Sequence, residues 1–128
     1  MRGKISTFGG PGDTGMTKEE GLSLYEHDEA NKRPDLFVTR SQDLREGTSQ
    51  RLRHDGMYFA FRFHRPINRE ALQRHPWLFT NPKTGAKVVL FLCDWGPHER
   101  TGRVFDISPR AAQLLGVKTD DELDGEPI

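Results

Sequence analysis

Two aspartates, each placed after an apolar stretch, are the strongest candidates for chemistry in this chain. Asp94 follows the apolar run 88–93, and Asp106 follows Val104 and Phe105. Desolvation favours the protonated form of a carboxylic acid, and two neighbouring carboxylates cannot both ionise cheaply. A protonated carboxyl group can donate its proton to the leaving oxygen of a glycosidic bond. The pair is therefore a candidate acid/base site.

Each aspartate also has a purely structural interpretation. Asp94 can accept backbone N–H groups from the Gly-Pro loop that follows it, and Asp106 can cap a helix that begins near Ser108. The sequence alone leaves the catalytic and the structural interpretations open for both residues.

The loop between the aspartates carries three side chains that can bind a substrate. Trp95 can stack on the apolar face of a sugar, or it can simply pack against the domain. His98 can lie in a groove as an acid/base partner or remain solvated. Arg103 can meet the carboxylate of a sugar or a peptide stem, or form a salt bridge to Glu99 or Asp106. The five histidines of the chain show no metal-ligand spacing. We expect neither a metal nor another cofactor.

Short strands and helices must position these residues. The patterns predict strands over 57–64, 77–80, 87–93 and 104–107, with a turn at Gly85 and with Trp77 in the core. They also predict a helix over 68–75, capped by Asn68. A second helix is predicted over 108–116, where Ser108, Pro109 and Gly116 suit the N-cap, the first turn and the C-cap in that order.

Length and composition indicate one polar domain over residues 1–128, with a loop-rich insertion at 28–56. The net charge is zero, with 19 basic and 19 acidic residues, which argues against nucleic-acid binding. The single cysteine excludes an internal disulfide, and the longest apolar run is too short to span a membrane. No signal peptide is visible, so the compartment stays open; a secreted or cell-envelope location is expected if the chain is a mature segment.

The order of motifs in the C-terminal half resembles a known family. The motifs are DWGP at 94–97, GRVFDISP at 102–109 and AAQLLG at 111–116, preceded by STFGG at 6–10 and TNPKTGAKVV at 80–89. Together they resemble the double-psi β-barrel domain of the rare lipoprotein A family, of the expansins and, more distantly, of family 45 glycoside hydrolases. The resemblance covers roughly residues 1–10 and 57–117. It implies a mainly β fold, a six-stranded double-psi β-barrel with one or two short helices and long loops.

The resemblance also implies roles for particular residues. Asp94 matches the motif aspartate that lines the glycan groove, and Asp106 matches the acid-like aspartate before the Ser-Pro helix. Thr7 matches the Ser/Thr on the groove floor, and His64 is the nearest counterpart of a family histidine. The family 45 base aspartate has no counterpart here, which argues against a two-carboxylate inverting hydrolase.

The end of the chain departs from the family. The family closes its barrel with an apolar strand after the helix, whereas this chain ends DDELDGEPI. We therefore expect the barrel to close differently, or a protein partner or a further segment to complete its edge.

The sequence thus predicts a domain that engages cell-wall glycan, most plausibly the glycan strands of peptidoglycan. The preferred hypothesis is cleavage of the lytic transglycosylase type, with Asp94 as acid/base and Asp106 as second carboxylate. Two alternatives stay open: a non-catalytic, expansin-like polysaccharide-binding module, and a structural or assembly domain of a phage or secretion device.

Overall fold

A computed structural model of the chain describes residues 1–9, 24–25, 29–30, 32–38, 51–64 and 68–128. The strands among them are β1 (Arg2–Thr7), β2 (Phe37–Val38), β3 (Arg51–Leu52), β4 (Tyr58–Ala60), β5 (Trp77–Thr80), β6 (Lys87–Asp94), β7 (Phe105–Ile107) and β8 (Glu122–Pro127). Two α-helices are α1 (Arg69–Arg74) and α2 (Pro109–Leu115), and a short 3-10 helix covers Glu99–Thr101.

Six strands close into a barrel in the order β1-β7-β4-β6-β5-β8. The pairs β1/β7 and β4/β6 are parallel, and the other four pairs of the barrel are antiparallel. The strands β2 and β3 form a separate antiparallel pair. The predicted fold class, mainly β with a six-stranded barrel and short helices, is confirmed.

Aromatic side chains fill the barrel. The rings of Phe59 and Phe79 lie 4.8 Å apart between centroids, and those of Phe79 and Phe105 lie 4.9 Å apart. Trp77 is 8% exposed and lies 4.9 Å from the ring of Phe61, which confirms its predicted place in the core. Edge-to-face contacts of this kind add to the stability that burial alone provides.

The helix and turn signals act as predicted. The Asn68 side chain accepts the N–H of Ala71 at 3.1 Å at the start of α1. Ser108 caps α2 in the same way, and Gly116 ends that helix in the left-handed region. Gly85 has a φ of 80° in the β5–β6 turn. Within the described ranges, no helix is long and apolar enough to cross a bilayer.

The strand predicted over 57–64 is shorter in the structure. β4 ends at Ala60, because the chain then turns and Phe63 donates its N–H to the carbonyl of Phe61 at 3.1 Å. The run of aromatic residues therefore continues past the strand, and the backbone carbonyls of Phe61 and Phe63 accept hydrogen bonds from Gly96 and Trp95 in the loop after Asp94.

Of the two alternatives expected for the barrel edge, completion by a protein partner or a further segment is wrong. β8 pairs with β1 on one side and with β5 on the other, so the chain itself closes the barrel. Only two of its side-chain positions face the core, Leu123 and Gly125, and both are buried. A Cβ on Gly125 would lie 2.7 Å from Cε1 of Phe79, so the missing side chain makes room for the aromatic core. A strand that needs so little apolar content gives a weak sequence signal.

The loop-rich insertion was predicted over residues 28–56. Of these, residues 28, 31 and 39–50 lie outside the described residues. Its described part packs against the outer surface of the barrel, with Leu36, Phe37 and Leu52 buried. The guanidinium of Arg33 lies 4.5 Å from the ring centroid of Phe91 on β6. The insertion therefore covers part of the outer surface of β6.

An ion pair between Arg33 and Asp35 lies beside this contact, and we expect it to make the stability of the fold decrease in acid. The Arg33 guanidinium forms two hydrogen bonds to Asp35 and holds the pKa of that carboxyl below its ordinary value of 3.8. The Asp35 carboxylate therefore binds a proton less readily in the folded state than in the unfolded chain. The ion pair stabilises the folded state above pH 3.8, and this stabilisation is lost as the pH falls further. Asp35→Asn should remove it.

Urea unfolding of the wild type and of Asp35→Asn at a series of pH values measures this contribution. The gap in unfolding free energy between the two proteins should narrow below pH 3.8. A gap that widens on acidification would show that the carboxylate is not stabilised by folding.

Candidate functional site

Four residues on four neighbouring strands form a transverse row that includes both candidate aspartates. Ser6 of β1 is in register with Asp106 of β7, and Asp106 is in register with Ala60 of β4. Ala60 is in turn in register with Asp94 of β6. We call Ser6, Asp106, Ala60 and Asp94 the carboxylate row.

The carboxylate row lies on the outer face of the barrel wall. Phe59 precedes Ala60, is fully buried in the core, and pairs with Leu92 and Ile107. Successive residues of a strand point to opposite faces, so Ala60 points outward. The residues in register with Ala60 on the neighbouring strands point outward as well. Because neighbouring strands are about 4.8 Å apart, the Cα atoms of Asp94 and Asp106 are separated by about 10 Å.

A register shift between β4 and β6 brings Asp94 into the row. Phe59 pairs with Leu92, but the next residue, Ala60, pairs with Asp94 and not with Cys93. Without the extra residue, strand alternation would direct Asp94 toward the core like Leu92. Irregularities of this kind re-aim side chains and are common beside functional sites.

The two carboxylates have different surroundings. Asp94 is 9% exposed, and its Oδ1 accepts the backbone N–H of Trp95 at 2.8 Å. Asp106 is half-buried and accepts a hydrogen bond from the hydroxyl of Ser6. The N-cap of α2 is Ser108, so the capping role considered for Asp106 belongs to another residue.

The loop after Asp94 folds back onto Asp106. Gly96 has a φ of 140°, which favours glycine, and a Cβ built on it would lie 3.8 Å from Oδ2 of Asp106. The Gly96–Pro97 peptide is cis. The Asp-x-Gly-Pro motif therefore brings the backbone of residue 96 next to the second carboxylate.

Trp95 combines an anchored edge with an accessible ring. Its indole N–H donates to the carbonyl of Phe63 at 3.1 Å, and the residue is still 39% exposed. His64, the next residue after Phe63, is exposed. Trp95 thus stands directly beside Asp94 with part of its aromatic surface in solvent, as a sugar platform requires.

His98 and Arg103 both take part in the structure of the loop. Nδ1 of His98 accepts the N–H of Arg100 at 3.1 Å, which caps the 3-10 helix. The Arg103 guanidinium lies 3.0 Å from the carboxylate of Asp120. Their hydrogen bond raises the pKa of Arg103 and lowers that of Asp120. The ion-pair partner of Arg103 is therefore Asp120, whereas the sequence suggested Glu99 or Asp106.

Thr7 is exposed at the end of β1, in register with Ile107. Because side chains alternate along a strand, Thr7 and its neighbour Ser6 point to opposite sides. Ser6, which the motif comparison did not select, is the residue that contacts Asp106. The sequence could have indicated Ser6, because strand alternation directs it away from the core when its neighbour Ile5 is buried.

Replacing Ser6 tests this assignment in the folded protein. Ser6→Ala should lower the unfolding free energy by about 1 kcal/mol, because a half-buried carboxylate loses a hydrogen-bond donor. Thr7→Ala, one residue away, should change it by less than about 0.5 kcal/mol. Chemical denaturation of both variants makes the comparison. Equal effects would contradict the pairing of Ser6 with Asp106.

A separate cavity of about 850 Å³ lies between α1 and the residues Tyr25, Glu29, Lys32 and Arg33. Two of its lining side chains bind Glu29: Arg69 lies 3.3 Å from it, and the neutral amide of Gln73 donates to it at 2.9 Å. None of the predicted site residues lines it. Across the described ranges, no cluster of three or more His, Cys, Asp or Glu residues could hold a metal ion.

The comparisons with known proteins add no relatives. No protein-family model matches the chain, and no curated protein matches it. The likeness to the rare lipoprotein A family and the expansins therefore stays a prediction drawn from motifs. The function has to be argued from the carboxylate row and the loop beside it.

Proposed function

We propose that this domain binds cell-wall glycan, peptidoglycan in the first place, and cleaves its strands by a lytic route. The observation that carries the proposal is the carboxylate row, in which Asp94 and Asp106 share one outer face with a single strand between them. Carboxyl groups that cleave glycosidic bonds lie about 5–10 Å apart, a range that side chains on Cα atoms about 10 Å apart can reach.

Asp94 is the proposed acid/base. Its protonated carboxyl group donates a proton to the glycosidic oxygen while the bond from that oxygen to C1 breaks. The 6-hydroxyl of the same sugar attacks C1, and its proton passes to the Asp94 carboxylate, which regenerates the acid. No water enters the reaction, so one acid/base residue suffices. Asp106 is the proposed second carboxylate, which stabilises the positive charge that develops on the ring.

Trp95 is the proposed sugar platform. Replacing it with alanine should weaken glycan binding by up to about 10-fold, because a stacked aromatic face contributes roughly 0.5–1.5 kcal/mol. Trp95→Phe should retain most of the affinity. Calorimetric titration of soluble glycan strands measures both variants, and equal affinity of the wild type and Trp95→Ala would remove Trp95 from the site.

Product analysis tests the cleavage. The protein is incubated with purified peptidoglycan, and the soluble fraction is analysed by mass spectrometry. The lytic route predicts anhydro-muropeptides, whereas hydrolysis would give products with a free reducing end. Absence of any product, with binding intact, would overturn the enzymatic half of the proposal.

A specific observation supports the non-catalytic alternative. Asp94 is 9% exposed and accepts the N–H of Trp95, so its carboxylate also serves to order the loop. A domain that only binds glycan would use Asp94 in this way and present Trp95 to the ligand. The structural or assembly alternative has no open barrel edge to support it, since β8 closes the barrel.

A further inference from the structure

Arg62 connects the two ends of the loop that joins the candidate carboxylates. Its Nη1 donates to the carbonyl of Pro97 at 2.6 Å and to the carbonyl of Arg103 at 2.9 Å. Pro97 lies three residues after Asp94, and Arg103 lies three residues before Asp106. One half-buried guanidinium thus holds the loop where it leaves the first carboxylate and where it reaches the second.

The segment that carries Arg62 anchors the loop at two further points. The carbonyl of Phe61 accepts the N–H of Gly96 at 3.4 Å, and the carbonyl of Phe63 accepts the indole N–H of Trp95 at 3.1 Å. This segment follows Ala60 of the carboxylate row directly. The position of the loop is therefore set by the segment that follows β4, the strand between the two aspartates.

Among the described residues, Arg62 forms no ion pair with a carboxylate. Hydrogen bonds from a charged group to a carbonyl are stronger than bonds between neutral groups. A guanidinium nitrogen also carries two N–H groups in a fixed plane, so it can serve two carbonyls at once. These properties suit a clamp on the loop backbone.

We propose that Arg62 is a positioning residue of the candidate site. By holding the carbonyls of Pro97 and Arg103, it fixes Gly96 against Asp106 and keeps Trp95 beside Asp94. The inference rests on the proposed function in one respect, namely that the ordered loop is what presents Trp95 to glycan. The clamp itself is independent of any ligand.

The experiment combines hydrogen exchange of the loop with glycan binding. The variants are Arg62→Met, which keeps the stem but removes the donors, and Arg62→Lys, which keeps the charge. Arg110→Met is the matched control, because Arg110 is exposed on α2 and bonds only within that helix among the described contacts. The amide groups of Thr101 and Gly102, which close the 3-10 helix, report the loop.

In Arg62→Met the loop amides should exchange at least about 10-fold faster than in the wild type, since two charge-assisted hydrogen bonds are lost. Glycan affinity should also fall, by the factor by which the fraction of molecules with an ordered loop decreases. The exchange rates and the glycan affinity of Arg62→Lys should lie between those of the wild type and Arg62→Met. Arg110→Met should match the wild type in both measurements.

Unchanged exchange in Arg62→Met would overturn the clamp. Faster exchange with wild-type glycan affinity would overturn its role in positioning the site. If the wild type itself binds no glycan, the proposed function fails, and the exchange rates alone still decide the clamp. If Arg62→Met does not fold, the intermediate exchange expected for Arg62→Lys decides it instead.

Discussion

Asp94→Asn should abolish glycan cleavage while leaving glycan binding intact. The amide has nearly the shape of the carboxyl group and can still accept the N–H of Trp95, so the loop stays ordered. It cannot donate and recover the proton that the lytic route requires, and loss of general acid catalysis lowers rates by about 10²- to 10⁴-fold. Turnover is measured by release of anhydro-muropeptides, and binding by co-sedimentation with insoluble peptidoglycan.

Two further substitutions make this result specific. Asp106→Asn should reduce turnover by a smaller factor, on the order of 10-fold, because it removes charge stabilisation but not the proton donor. Asp124→Asn is the matched control. Asp124 lies on β8, away from the carboxylate row, and forms an ion pair with Arg2 of β1. Full turnover in Asp94→Asn would contradict the assigned role. Equal losses in all three variants would point to a loss of folded protein.

Gly125→Ala should destabilise the barrel, although alanine is normally the better residue in a strand. The added Cβ would lie 2.7 Å from Cε1 of Phe79 and 3.1 Å from Cζ of Phe105. Overpacking a filled core costs about 1–3 kcal/mol. Chemical denaturation should therefore show a lower unfolding free energy for Gly125→Ala than for the wild type.

A double-substitution cycle identifies the cause. In a Phe79→Leu background the side chain that collides with the new Cβ is smaller, so Gly125→Ala should cost less there than in the wild type. Glu126→Ala, at the next and exposed position of β8, should change stability by less than about 0.5 kcal/mol. Stabilisation by Gly125→Ala would contradict the packing of β8 against the aromatic core.

Local signals were sufficient to predict the helices and the β5–β6 hairpin. Capping residues such as Asn68 and Ser108 and a left-handed glycine such as Gly116 act within a few residues of themselves, so the sequence displays them directly. β8 could not be found in this way. Its two core positions are filled by one leucine and one glycine, and the need for Gly125 arises from rings distant in sequence.

The candidate site was only partly visible in the sequence. Asp94 and Asp106 could be selected because each follows an apolar run. Ser6 and Ala60 join them through strand pairing, which depends on register between distant segments. The extra residue in β6 that turns Asp94 to the outer face leaves no mark in the composition. Arg62 was inconspicuous for the same reason, because its carbonyl partners lie 35 and 41 residues away.

The central claim is that the carboxylate row and Trp95 form one glycan-binding site. Titrating the ¹⁵N-labelled domain with soluble peptidoglycan fragments and following the amide resonances tests it most directly. The account predicts that the perturbed amides cluster at Ser6, Ala60, Asp94, Trp95 and Asp106. Perturbations confined to the cavity between α1 and the residues Tyr25, Glu29, Lys32 and Arg33, or none at saturating fragment, would contradict it.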